Sequence, residues 1–451
     1  MENISFHGRK KEILFFKSLI DSNKAELCIL YGRRRIGKTR ICLELIKNNL
    51  GTYFLSSEIS LTENLKRFRQ ELSISLNDEL ILSIEASVES LFLYLSKKKE
   101  RIIIVIDEFP YLIESDKSVL SEFQRVWDLY LKNSNIVLIL TGSSIAMIED
   151  KILSYKSPLY GRRTAQYKLE ELSFKESSYF FPNLDFETIL KYYSICGGIP
   201  FYLEKINPKL NFKENLKILF NKGSILFEEG DFLLKQEFRQ TQNYKLILRE
   251  IAKGKTKFNE ISLATQIEST NLTQYLKNLL ILKLIKKEVS FGFDEIKSKG
   301  RYYLGDYFLE FWFKFIFVNQ HLIQKDKLED LFDIINNNLD IYLGFVYEKV
   351  SKEYLEDSLD FPIMKNWFYK EKEIDLVGLK NDILYLCECK YRNKKIGDET
   401  LTSLIEKSDY VNVKHKEKKF ILISKSGFNK VKQTNVLLIS NIDFQKWMKN
   451  K

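Results

Sequence analysis

Two groups of residues in this 451-residue chain have types and spacings suited to chemistry on phosphate. The first is Gly32-Arg33-Arg34-Arg35-Ile36-Gly37-Lys38-Thr39. Its glycines let backbone N–H groups wrap phosphate oxygens, Lys38 can reach the outer phosphates, and Thr39 can ligate Mg2+. The matching half lies downstream, where the apolar run Ile102–Ile106 ends in Asp107-Glu108. A strand ending there delivers Asp107 beside the metal and leaves Glu108 to polarise an attacking water. Together these are Walker A and Walker B patterns, and the implied cofactors are ATP and Mg2+. Thr141-Gly142-Ser143-Ser144 ends the next apolar run, so Ser143 or Thr141 can touch the γ-phosphate or the water. In Gly161-Arg162-Arg163 an arginine, Arg162 or Arg163, either senses the γ-phosphate or is an ordinary surface cation.

The second group is near the C-terminus. Glu373-Ile374-Asp375-Leu376-Val377 leads through a turn at Lys380-Asn381-Asp382 to Tyr385-Leu386-Cys387-Glu388-Cys389-Lys390. On paired strands the period of two puts Glu388 and Lys390 on one face, where Asp375 can join them. Two carboxylates and a lysine suit metal-dependent phosphodiester hydrolysis: Asp375 and Glu388 hold Mg2+, and Lys390 orients or activates water. Glu348, in the helical Gly344-Phe345-Val346-Tyr347-Glu348, is a candidate for a further ligand. The plain alternative is a hairpin with charged residues on its wet face. Leu386 shares the face of Glu388 and Lys390, so that face is expected to be partly sheltered. The pattern resembles the PD-(D/E)XK nuclease superfamily, with Ile374 where that superfamily has proline.

Elements must hold these groups. Leu27–Tyr31, Thr52–Leu55, Arg101–Ile106 and Ile136–Thr141 are strand candidates, alternating with helical stretches such as Thr39–Asn49 and Glu85–Lys98. That alternation predicts an α/β fold with a parallel sheet covered on both faces. We expect a phosphate-binding core over 1–173 and a helical lid over 174–240, broken at Gly197-Gly198-Ile199-Pro200. A winged helix is expected over 241–306, and a restriction-endonuclease-like α/β domain over 307–451. In the third segment Leu272, Leu276, Leu279 and Leu280 recur at helical spacing, leaving Asn271, Gln274, Lys277 and Asn278 for base edges and phosphates. Lys286, Lys287, Lys297, Lys299 and Arg301 can place charge on the wing, although such modules also serve domain packing. The last segment opens with an aromatic helix, Tyr307–Val318, followed by strand candidates at Asp375–Leu379, Leu384–Lys390, Phe420–Ser424 and Val436–Ser440.

Phe6-His7-Gly8-Arg9-Lys10-Lys11-Glu12, ahead of the first strand, resembles the F-x-G-R-x-x-E motif of archaeal-type ATPases, in the STAND and origin-recognition-like branch of AAA-related NTPases. Gly198-Ile199-Pro200 is similar to the G-x-P element of the same group. The resemblance implies Arg9 and Pro200 as nucleotide contacts. It extends over nearly the whole chain, to the archaeal ATPases that carry a C-terminal nuclease-like domain.

Composition narrows the class. Hydrophobic residues at 45% and charged residues at 29% are globular values, and 451 residues exceed one hydrophobic core. No apolar run is long enough to span a membrane and the N-terminus has no signal region, so a cytoplasmic protein is expected. The five cysteines, Cys28, Cys42, Cys196, Cys387 and Cys389, read as buried thiols, and Cys387-x-Cys389 lacks the second pair that zinc would need. A net charge of +10 fits nucleic-acid contact without requiring it. The expected partners are a nucleotide and DNA, with a homo-oligomer left open. Two functions compete: an ATP-regulated DNA-binding protein with a nuclease-like domain, and an ATP-dependent signalling switch whose C-terminal domain is a non-catalytic scaffold.

Overall fold

The computed structural model describes residues 7–295, 298–359, 361–431 and 435–450. Phe6 and Lys297, on which two of the expectations above fall, lie outside the described residues. The chain divides into two compact units, one running to Leu172 and including Ile199–Phe201, the other formed by Ser173–Gly198 and the chain from Tyr202 onward.

In the first unit, apolar runs without alternation become strands covered on both faces. They are β1 (Glu26–Tyr31), β2 (Gly51–Leu55), β3 (Ile102–Asp107), β4 (Ile136–Gly142) and β5 (Ala165–Lys168). Every residue of β1, β3 and β4 is buried. The sheet is parallel throughout, in the order β2-β3-β4-β1-β5. Because β4 lies between β1 and β3, the C-terminal ends of three adjacent strands present Gly32, Thr141–Ser143 and Asp107-Glu108 side by side. Ligands of open parallel sheets bind at such an edge. The parallel α/β expectation is met here, with β5 as an unforeseen edge strand.

The second unit begins with helices. Gln242–Ala252, Phe258–Thr265 and Ser269–Ile281 form a three-helix group. The antiparallel pair β6 (Ile285–Glu288) and β7 (Arg301–Leu304) follows it. Leu272, Leu276 and Leu279 are buried as their spacing requires, and Leu280 is half-buried.

The aromatic stretch expected as one helix is instead an α-helical turn over Tyr307–Phe311, a wider π turn over Trp312–Ile316 and a 3-10 turn over Phe317–Asn319. Phe311, Trp312, Phe313, Phe315 and Ile316 are all buried, so packing on every side, not one amphipathic face, sets its path. Trp312 Nε1 donates to the Phe227 carbonyl at 2.9 Å, and its ring lies over Gly230. A Cβ at Gly230 would sit 2.4 Å from that ring. Gly230→Ala is therefore expected to lower the melting temperature, since overpacking costs about 1–3 kcal/mol and exceeds the ~1 kcal/mol gained in helix propensity. A melting curve unchanged or raised would show that Trp312 can yield.

A 31-residue helix, Leu328–Ser358, leads to the last sheet. Its strands are β8 (Lys365–Tyr369), β9 (Lys372–Lys380), β10 (Ile383–Lys390), β11 (Glu417–Ser424) and β12 (Val436–Ser440), in the order β12-β11-β10-β9-β8. β8, β9 and β10 pair antiparallel, whereas β10, β11 and β12 pair parallel. The β9–β10 connection is a two-residue turn with Asn381 at φ 52° and Asp382 at φ 62°, the twist that tight hairpins favour. Helix Asp398–Ser408 crosses from β10 to β11, and its Leu401 and Leu404 cover Leu384, Leu386 and Leu422.

Candidate functional site

At the end of β1 the chain turns sharply at Gly32, φ 153°, where a Cβ would meet the Leu169 carbonyl at 2.4 Å. The loop then folds around the Lys38 ammonium, which donates to the Gly32 and Arg33 carbonyls at 2.9 and 3.0 Å. Burial pulls the Lys38 pKa below the usual lysine range, and the charges of Glu108 and Asp107 oppose that shift. Helix Lys38–Ile46 starts at the loop's end, so its first N–H groups and dipole face the same space.

The other loop residues have separate tasks. Arg33 reaches Glu171 at 3.5 Å, and the Arg35 guanidinium stacks 4.6 Å from the Phe201 ring. Ile36 is buried, and its carbonyl accepts from Arg9 Nη2 at 3.0 Å. Arg9 also pairs with Glu12 at 2.9 Å. Pro200 is the nearest neighbour of Gly37, 3.9 Å from where a Cβ would be. Arg34 adds a positive charge that Lys38 senses. Both resemblance-derived residues, Arg9 and Pro200, thus lie at the loop.

Asp107 is the hub. Its Oδ2 accepts from Thr39 Oγ1 at 2.7 Å and from the Tyr53 hydroxyl at 2.6 Å. Its Oδ1 accepts from Thr141 Oγ1 and from the Glu108 amide, both at 2.9 Å. Nothing local in the sequence marks Tyr53 as part of this site. Its contact depends on the β2–β3 pairing, and burial with the bond to Asp107 pushes its phenol up. Glu108 has φ 50°, a left-handed backbone uncommon for a non-glycine residue. Its Oε2 accepts from the Ser143 amide at 3.2 Å and the Ser143 hydroxyl at 3.0 Å. Of the two hydroxyls proposed at the end of β4, Thr141 serves Asp107 and Ser143 serves Glu108. Arg162 is held by Asp128 at 3.0 Å and by the Pro158 carbonyl, while Arg163 donates to the Leu153 carbonyl.

In the second unit, β9 and β10 bring Asp375, Glu388 and Lys390 together. Lys390 Nζ donates to Glu388 Oε1 at 2.7 Å and lies 3.6 Å from Asp375 Oδ2. The Cys389 amide donates to Asp375 Oδ2 at 2.7 Å. Lys407, a residue the sequence did not single out, reaches both Glu388 oxygens at 3.1 and 3.3 Å from helix Asp398–Ser408. Burial, then the Glu388 charge, pushes the Asp375 carboxyl up to about 6. Burial and the Asp375 charge likewise raise Glu348. Among the described residues no three His, Cys, Asp or Glu side chains are grouped closely enough to hold a metal ion, so Glu348 is an electrostatic neighbour of the pair. Glu388 is buried beside Leu386, so the face is sheltered as expected. All five cysteines are free and buried.

On the three-helix group Asn271, Gln274 and Lys277 are exposed, while Asn278 donates to the Tyr244 hydroxyl at 2.7 Å. Lys286 pairs with Glu288, and Lys287 donates to the Ser298 carbonyl. Lys299 is exposed, whereas Arg301 is engaged inside the chain by Glu373 at 3.1 Å and by the Phe368 ring at 4.0 Å. No helix among the described residues is long and apolar enough to cross a membrane.

Known proteins resemble this chain in sequence and fold. A family model of ATPase domains predominantly from Archaea matches residues 6–206, and a model of archaeal and bacterial proteins of unknown function matches 312–402. An uncharacterized protein of Methanocaldococcus jannaschii is 39% identical over 434 residues, covering 93% of this chain and 95% of its own length. A second uncharacterized protein of that organism is 26% identical over 275 residues, 57% of this chain and 50% of its own length. Among solved structures, a Walker-type ATPase of Pyrococcus abyssi aligns at 22% identity and a TM-score of 0.54, over 68% of this chain and 96% of that one. That likeness is one of fold.

Proposed function

The chain belongs to the archaeal-type P-loop ATPase family, and from that premise we propose that it hydrolyses ATP at Gly32–Thr39 and uses the cycle to control a DNA-directed, metal-dependent nuclease-like centre at Asp375, Glu388 and Lys390. The observation that carries the ATP half is the bond from Thr39 Oγ1 to Asp107 Oδ2, with the Lys38 ammonium at the loop beside them. A hydroxyl and a carboxylate are hard oxygen donors that fit Mg2+, and the loop amides with Lys38 fit a triphosphate. Thr39 and Asp107 would hold the ion, which neutralises phosphate charge when bound. Glu108, fixed by Ser143, accepts the proton of the attacking water. Arg9 and Pro200 line the nucleotide side.

Asp375 and Glu388 also fit a divalent ion. Burial first, and then the Glu388 charge, raises the Asp375 carboxyl to about 6, so a cation bound there would compete with a proton below about pH 6. Asp375 and Glu388 are the two side chains that would hold the ion, which would supply charge for phosphodiester hydrolysis when bound. Lys390, 2.7 Å from Glu388, would orient the hydrolytic water. The three helices and the β6–β7 pair are read as a winged helix, with Asn271, Gln274 and Lys277 toward DNA.

The signalling-switch reading draws on one observation: Arg301 is consumed by Glu373 and Phe368 inside the chain, as a packing wing requires. Retention on immobilised DNA across a salt series separates the two. Steeply salt-dependent retention is the expected result, because phosphate contacts displace counterions. No retention at low salt would favour the switch.

A further inference from the structure

Asp107 has no acceptor site to spare. A carboxylate offers about four lone-pair positions on its two oxygens. Thr39 Oγ1 and the Tyr53 hydroxyl take the pair on Oδ2, at 2.7 and 2.6 Å. Thr141 Oγ1 and the Glu108 amide take the pair on Oδ1, both at 2.9 Å. For Asp107 to serve Mg2+, directly or through a bound water, one of these donors must leave.

The fold decides which. The Glu108 amide belongs to the next residue of the chain, so it moves only if the end of β3 moves. Thr141 is fully buried on β4, between β1 and β3. Thr39 is the other expected ligand, and its hydroxyl can offer a lone pair to the ion while its proton stays on Asp107. Tyr53 is placed differently. It stands on β2, an edge strand of the sheet, and its side chain is half-buried. Its backbone lies opposite Val105, and the long side chain reaches along β3 to Asp107. Rotation of that side chain withdraws the hydroxyl while both strands stay in place.

We propose that Tyr53 is a positioning residue that occupies the Asp107 oxygen it shares with Thr39 and yields it when Mg2+ arrives with the nucleotide. The inference rests on reading Gly32–Thr39 and Asp107 as the Mg2+–ATP site. Before the ion binds, the phenol keeps a buried carboxylate supplied with donors and fixes its orientation beside Thr39. Nucleotide alone leaves the Tyr53–Asp107 bond intact, so the cost of breaking it falls on the ion.

The test measures binding and not turnover. A fluorescent, non-hydrolysable ATP analogue is titrated into the full chain in EDTA and in Mg2+, for the wild type and for Tyr53→Phe, with melting temperatures compared. In EDTA the two proteins are expected to bind the analogue equally. With Mg2+ the gain in affinity is expected to be about tenfold larger in Tyr53→Phe, the factor by which one hydrogen bond to a charged acceptor shifts an equilibrium. An equal gain in both proteins would overturn the proposal while leaving the Mg2+–ATP site intact. A smaller gain in Tyr53→Phe would also overturn it, because the hydroxyl would then support the bound ion by orienting Asp107. A wild type whose affinity does not respond to Mg2+ would overturn the site itself and the proposal with it. Fluorotyrosine in place of Tyr53 gives a second readout that removes no group: its fluorine resonance is expected to shift when Mg2+ joins the bound analogue. A resonance unmoved by Mg2+ would show that the phenol stays on Asp107 and would overturn the proposal.

Discussion

Lys38→Ala is expected to abolish tight ATP binding and, with it, hydrolysis. The ammonium is buried, held by two loop carbonyls, and close enough to Asp107 and Glu108 to feel both charges. Alanine removes the cation that the loop folds around and takes away its bonds to the Gly32 and Arg33 carbonyls. Charge-assisted hydrogen bonds contribute about 1.5–3 kcal/mol each, so losing two to phosphate weakens binding by roughly two to four orders of magnitude. Titration calorimetry with ATP and Mg2+ measures this directly. Wild-type affinity and turnover in Lys38→Ala would remove Gly32–Thr39 from the nucleotide site.

Glu108→Gln should separate binding from hydrolysis. The amide oxygen of glutamine can still accept from the Ser143 amide and hydroxyl, so the loop geometry is kept. What is lost is the proton acceptor, a change of about 10²–10⁴ in rate for a general base. The variant is expected to copurify with or retain ATP and to turn it over slowly, read by the nucleotide content of the protein and by single-turnover hydrolysis. Unchanged turnover would assign water activation to another group. The strained backbone of Glu108 accords with a residue held for function, since such conformations cost of order 1–3 kcal/mol and persist where the surroundings impose them.

Much of this was legible in the residues because it is local. Gly32–Thr39 and Asp107-Glu108 are contiguous motifs on strands whose apolar runs announce burial, and Asp375, Glu388 and Lys390 follow from a period of two across one hairpin. Groups that arrive through register or from a distant helix were not legible. Tyr53 reaches Asp107 only because β2 pairs with β3, and Lys407 reaches Glu388 from a helix that nothing in its own sequence marks as part of a site. The edge strands β5 and β8 are not legible in the sequence because Ala165–Lys168 and Lys365–Tyr369 are short and half-buried, without a sustained apolar run. Arg162 showed the limit of reading a cation by position, since its partner Asp128 is remote in sequence. The aromatic run at 307–319 carried helical composition but no face, and its turns widen and tighten to bury Phe308, Phe311, Trp312, Phe313 and Phe315.

The most direct measurement is cleavage of labelled duplex, single-stranded and branched DNA by the intact protein with Mg2+, with and without ATP, against Asp375→Ala and Lys390→Ala. Cutting by the wild type that responds to ATP and disappears in both variants is the expected result. Cutting that survives in either variant, or its absence from a wild type that still hydrolyses ATP, would contradict a nuclease-like centre governed by the ATPase.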